Sequence, residues 1–183
     1  MHSEGRLDLM TSTVDISRAI KIDGWMETAE LTWLAEQAAQ HDVIVEIGSF
    51  LGRSTRALGD NARGTVIAID TWIGPVADDR TLYPSFYQQF DDNLKDLIQS
   101  GKVIPVDIML TQINVYECDF CFIDADHKYE SVRNDIRYWM QKIRVGGIIS
   151  GHDIDYPDVR RAVVEIFPDA LIVPGTRIWY KIL

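Results

Sequence analysis

Short apolar runs that alternate with amphipathic helical stretches constrain this chain more than any other feature. The strand-like runs are Val43–Ile47, Thr65–Ile69, Val103–Val106, Asp119–Ile123 and Gly147–Ser150. Between and around them, Ala29–Gln40 places Leu31, Leu34, Ala35 and Ala38 on one stripe. A second helix opens at Arg53-Ser54-Thr55, and a third runs from Pro84 through Phe86, Phe90, Leu94, Leu97 and Ile98 until Gly101 stops it. Tyr129–Ile143 repeats the spacing, and a last helix starts at Pro157 and is ended by Pro168. That order predicts a three-layer α/β fold with a mostly parallel sheet and crossover helices. Leu171–Val173 and Arg177–Ile182, split by Pro174-Gly175-Thr176, predict an antiparallel hairpin at the end.

At 183 residues the chain suits one well-buried core, read as a single domain over 1–183 with an N-terminal extension at 1–26. Asp and Glu number 28 against 18 Lys and Arg, a formal charge of −10. That field repels polyanions, which argues against nucleic acid as partner. No run reaches the roughly 18 apolar residues of a membrane span. The segment around Glu4, Arg6 and Asp8 lacks the apolar stretch of a secretory signal, so a cytoplasmic location is expected. Cys118 and Cys121 form a C-x-x-C that reads as a redox pair or half a zinc site. With no second pair, and with both on a buried strand facing opposite ways, they read better as core.

In an open parallel sheet, ligands bind beyond the carboxyl ends of the strands. The first strand ends in Glu46, then Gly48, Ser49 and Gly52, and a helix opens at once. Its free N–H groups suit a carboxylate or hydroxyl, and glycine permits close approach. A dinucleotide loop reads G-x-G-x-x-G; here Phe50 takes the middle glycine position and would crowd a pyrophosphate. A ligand without phosphate, such as S-adenosylmethionine (SAM), suits the loop better. Asp70, closing the second strand, is placed to accept hydrogen bonds from both hydroxyls of a ribose. The long connection at 71–83 reads as a lid or acceptor loop, and Trp72, Tyr83, Phe86 and Tyr87 are expected to line an acceptor pocket.

Four segments together, Val45–Thr55, Ile69–Gly74, Phe122–Glu130 and Val145–Asp153, resemble the class I SAM-dependent methyltransferases. Within them, the chain resembles the small bacterial group related to macrocin O-methyltransferase and cephalosporin hydroxylase. The resemblance implies a Rossmann-like seven-stranded sheet in the order 3-2-1-4-5-7-6, strand 7 antiparallel. It implies SAM contacts from Glu46, Gly48, Ser49, Ser54, Asp70, Thr71, Asp107 and Asp124, with Asp107-Ile108 bordering the adenine.

The ends of strands four and five bring Asp124, Asp126, His127, His152 and Asp153 to one edge. Methyl transfer to a hydroxyl needs an aligned displacement and loss of a proton. Asp124, His127, His152 and Asp153 are the candidate catalytic residues, the two imidazoles being candidate bases. Catechol-type enzymes hold a metal with a carboxylate after strand 4 and an acidic or amide pair after strand 5. Asp124 and His152-Asp153 occupy those places, which admits a divalent metal (Mg, Mn or Fe) or none, since histidine suits magnesium poorly. The expected function is O-methyl transfer to a small-molecule hydroxyl, on a sugar or natural-product scaffold, in a protein that base rates make a homodimer. The other readings are a SAM- or nucleotide-binding module without catalysis and an NAD-dependent oxidoreductase.

Overall fold

The structure is a computed structural model that describes residues 14–73, 83–108, 115 and 117–183. The strands are β1 (Val43–Ile47), β2 (Thr65–Asp70), β3 (Val103–Asp107), β4 (Cys118–Ile123), β5 (Ile143–Gly151), β6 (Leu171–Ile172) and β7 (Trp179–Ile182). The helices are α1 (Thr28–Ala38), α2 (Arg53–Asn61), α3 (Tyr83–Gln99), α4 (Tyr129–Trp139) and α5 (Pro157–Ile166). One sheet runs β3-β2-β1-β4-β5-β7-β6. The first five strands are parallel, and β7 is antiparallel to both β5 and β6. This is the order expected, and the antiparallel β7 departs from the all-parallel dinucleotide order.

Helices cover both faces, so the central strands are apolar on both sides. Ile44, Phe120 and Phe122 join Leu31, Leu34, Leu58, Phe90 and Leu94 in one core layer. Val45, Ile47, Cys121 and Ile149 join Val132, Ile136, Trp139, Val159 and Val163 in the other. Strand alternation therefore puts Glu46 on the same face as Ile44, beneath α1–α3, at the carboxyl end of β1.

Three sequence expectations change. Ile143 belongs to β5, not to the preceding helix: α4 stops at Trp139, and Ile143 pairs with Cys118. The two cysteines do not face opposite ways. A register shift between Cys118 and Phe120 reverses the alternation, so both thiols lie in the α4–α5 layer. Both are free and buried, and burial pushes the Cys118 thiol up to about 12 and raises that of Cys121 too. The core reading of the pair stands on burial instead of geometry. Finally, Arg177 falls outside the hairpin strands, in the connection between β6 and β7.

The described part of the N-terminal extension is bound to α2. Arg53 donates from Nε to the carbonyl of Met26 at 2.9 Å and from Nη1 to those of Ile20 and Ile22. Ala19 and Met26 complete the α1–α3 core layer. Behind them Arg56, 3% exposed, pairs with Asp60 at 3.1 Å and also grips Asp96 on α3. Arg18 also pairs with Asp60 and Asp96, so losing Arg56 strands neither carboxylate. Arg56→Ala should lose about 1–3 kcal/mol of unfolding free energy, read from urea denaturation midpoints.

Candidate active site

The loop after β1 is the hinge of the site. Gly48 has φ +92° and a Cβ there would sit 2.0 Å from the carbonyl oxygen of Asp124. Glycine is thus what lets the β1 loop close against the end of β4. Its N–H donates to Ile69 O at 2.8 Å, and the N–H of Asp124 donates to Ile47 O at 2.8 Å. Phe50 and Trp72 both carry positive φ, 45° and 48°. Their strain is held by one carboxylate: Asp70 Oδ2 accepts from Phe50 N and Oδ1 from Trp72 N, each at 2.7 Å. Trp72 Nε1 closes the link by donating to Phe50 O at 2.9 Å.

Glu46 is fully buried. Its Oε2 accepts from the hydroxyls of Ser49 and Thr55, while Oε1 has no hydrogen-bond partner among the described residues. Burial pushes this carboxyl up to about 7, against the pull of the Ser54, Thr55 and Ser49 hydroxyls. Gly52, in the left-handed region, starts α2, whose first turn carries Ser54. Thr71 Oγ1 accepts from Ile73 N at 3.4 Å, and Asp107 stands beside Asp70 at the end of β3. The residues expected to hold a nucleoside therefore share one edge of the sheet.

At the next strand ends, Asp124, His127, His152 and Asp153 come together as expected. His127 Nε2 lies 2.7 Å from Asp153 Oδ2. His152 Nδ1 is 3.3 Å from Asp153 Oδ1 and 3.7 Å from Asp124 Oδ1. The two histidines differ in access: the His127 side chain is 44% exposed, that of His152 only 3%. Tyr156 stacks on His127 with ring centroids 5.1 Å apart. Asp126 instead serves α4, accepting from Ser131 Oγ and Lys128 N. A pocket beside the ends of β4 and β5 is lined by Asp124, Asp126, His127 and His152.

Two residues of this cluster escaped the sequence reading. Glu30, 2% exposed, lies in α1 with Oε2 accepting from Glu27 N in a capping box. Its Oε1 accepts from Arg177 N at 3.0 Å and is 2.9 Å from His152 Nε2. Arg177 Nη1 donates to Asp153 Oδ1 at 2.9 Å. Glu27-x-x-Glu30 signals a cap in the sequence, but its tie to a histidine far along the chain leaves no local trace.

These contacts set the charges. Burial opposes ionisation of His152, yet Asp153 and Glu30 outweigh it and raise the imidazole to about 10. Burial likewise works against the Glu30 carboxylate, but His152 and the N–H groups of Glu27 and Arg177 bring it down to about 2. Asp153 is held well below the usual range, because His127 and His152 overcome its burial. Asp124 goes the other way, pushed up to about 6 by burial. Pairing with Asp153 raises His127.

Asp124, His152 and Asp153 each offer a ligand atom within 4.8 Å of the others. As folded, both oxygens of Asp153 are already engaged, one by Arg177 and one by His127, while His152 Nδ1 faces Asp153 and Asp124 and its Nε2 faces Glu30. Trp72 also departs from expectation. It is 1% exposed and packed on Phe90, so it belongs to the core and not to an acceptor wall. Phe86 does face the loop, its ring tilted at 45° against Phe50, on which Trp25 stacks. Tyr83's side chain and residues 74–82 of the expected lid lie outside the described residues.

A seven-stranded sheet with β7 antiparallel, and ligand-side loops at β1, β2, β4 and β5, defines a protein of the methyltransferase fold class. The methyltransferase domain model matches residues 45–154, and the chain belongs to that family. No curated protein matches the sequence. Among solved structures it is similar to an O-methyltransferase from Bacillus cereus in complex with S-adenosylhomocysteine (SAH), at 16% identity and TM-score 0.62, covering 90% of this chain and 86% of that one. It is similar to TomG from Streptomyces achromogenes, an O-methyltransferase involved in tomaymycin synthesis and solved with SAM, at 15% identity and TM-score 0.60, covering 91% and 84%. A SAM-dependent O-methyltransferase from Thermotoga maritima matches at 12% identity and TM-score 0.63, over 90% and 69%.

The contrast between two glycines tests the hinge. Gly101, at φ +73° with nothing within 4 Å of where a Cβ would stand, should accept alanine at a cost of about 1–2 kcal/mol. Gly48→Ala adds a collision with backbone to the same strain, and thermal unfolding should show a clearly larger loss.

Proposed function

We propose that this chain is a SAM-dependent O-methyltransferase that acts on a hydroxyl of a small molecule, with His127 as the base. The observation that carries this is the His127–Asp153 contact of 2.7 Å, placed at the same sheet edge as the Glu46 and Asp70 loops. The cofactor fits the residues present: the unpartnered Oε1 of buried Glu46 is the acceptor an α-ammonium needs, and Asp70 stands where a ribose is held. Gly48, Ser49, Ser54 and Thr71 frame the same loops, and Asp107 and Asp124 close them on either side. When bound, SAM supplies a methyl group on a sulfonium, ready for in-line displacement.

The chain's own residues do the rest. Asp153 fixes the His127 ring through Nε2, leaving Nδ1 to take the acceptor's proton as the new oxygen–carbon bond forms. His152 is too buried to reach an acceptor; it holds Asp153 between Glu30 and the sheet. Asp124 narrows the space beside the reacting atoms. Mg, Mn or Fe has no part in this reading. The acidic surface and the fit to a compact cofactor favour a small acceptor, and the motif resemblance favours a sugar or natural-product hydroxyl.

Titration calorimetry with SAH should show binding to wild type, and a chain without affinity for SAH or SAM overturns the proposal. His127→Ala should keep that binding while turnover on a panel of hydroxylated compounds falls by about 10²–10⁴. Glu46 adds a proton signature. Its carboxyl, raised to about 7 in the free protein, is largely protonated at pH 6, whereas an ammonium partner favours the carboxylate. Binding at pH 6 should therefore release protons, and affinity should weaken as pH falls below about 7. Calorimetry in buffers of different ionisation enthalpy reads this directly, and Glu46→Gln should abolish it.

A further inference from the structure

Asp153 meets His127, His152 and Arg177, and the last of these lies outside the strand ends that supply the other two. Arg177, in the connection between β6 and β7, donates from Nη1 to Asp153 Oδ1 at 2.9 Å and from Nη2 to the carbonyl of Trp25 at 3.3 Å. Its Nε lies 3.7 Å from Glu30 Oε1, and its backbone N–H donates to that same oxygen at 3.0 Å. The guanidinium is thus fixed from α1, from the segment before α1 and from the end of β5 at once.

We propose that Arg177 is the resident cation of this site, a positioning residue that neutralises Asp153 and so makes methyl transfer independent of divalent metal. The proposal rests on the O-methyltransferase reading above. A guanidinium is always charged and more weakly hydrated than an ammonium or a metal ion, which suits a half-buried place among carboxylates. A divalent ion on Asp124 and Asp153 would have to displace it from Asp153. That would disturb the guanidinium's 3.7 Å contact with Glu30, leaving this 2% exposed carboxylate to His152 and to backbone N–H groups. It would also pull Asp153 away from His127, the group it orients. Arg177 therefore acts through Asp153 and need not touch the acceptor.

Manganese binding and turnover test this on the full chain. With SAH present, wild type titrated with Mn²⁺ and followed by electron paramagnetic resonance should show no saturable site below about 1 mM. Its methyl transfer should be unchanged by EDTA. Arg177→Ala frees the Asp153 carboxylate, so it should gain a saturable Mn²⁺ site while losing about 100-fold in kcat, with the KM for SAM changed by less than about threefold. Arg177→Lys should recover part of the turnover and lose the manganese site again. A tight Mn²⁺ site in wild type, turnover abolished by EDTA, or full turnover in Arg177→Ala each overturns the proposal. If Arg177→Ala does not fold, the wild-type titration and Arg177→Lys decide alone. Failure of the O-methyltransferase reading looks different: wild type shows no turnover with or without metal. Failure of the present proposal shows as turnover that appears only when Mn²⁺ is added.

Discussion

The carboxylate of Glu30 ties this structure together. One oxygen caps the first turn of α1 through Glu27, and the other meets His152 and the backbone of Arg177. A single buried side chain thus joins the first helix, the end of β5 and the closing hairpin. Such a group is costly to bury unless each oxygen is matched, and here each is. If it were lost, the imidazolium of His152 would face Asp124 and Asp153 without its third anion, and Arg177 would lose the anchor that aims it. The orientation of His127 depends on the same chain of contacts, two steps removed.

A second constraint locks the loops after β1 and β2 together. Phe50 and Trp72 sit in a backbone region that costs a non-glycine residue about 1–3 kcal/mol each. Asp70 offsets that strain by accepting an N–H from both, and the indole of Trp72 returns a hydrogen bond to Phe50. The loops after β1 and β2 are therefore one unit. The aromatic ladder Trp25–Phe50–Phe86 rests on that unit, which couples the N-terminal segment and α3 to its position.

The strands were legible from local pattern, because four of the first five apolar runs are followed by a helix and the terminal hairpin is marked by Pro174-Gly175-Thr176; the strand order came from the resemblance of the four strand-end segments. Glu46, Asp70, Asp124, His127, His152 and Asp153 were legible for a related reason, since ligand groups in such sheets follow strand ends. What stayed hidden depends on distance along the chain or on a break in regularity. Glu30 and Arg177 are 147 residues apart and meet only in the folded state. The register shift in β4 carries no composition signal, yet it turns Cys118 to the same side as Cys121. Trp72 looked like a pocket wall because an aromatic in a loop has no periodic partner to reveal its burial.

The turn between β6 and β7 has a consequence for how this protein comes into being. Ribosomes deliver the loops after β1 and β2 and the His127 segment before the β6–β7 connection. Until Arg177 arrives, Glu30, Asp124 and Asp153 crowd together with only imidazoles between them, and the half-made site repels itself. The β6–β7 hairpin thus works as a clasp: the carboxylate cluster is matched only once Arg177 has closed on Asp153 and Glu30.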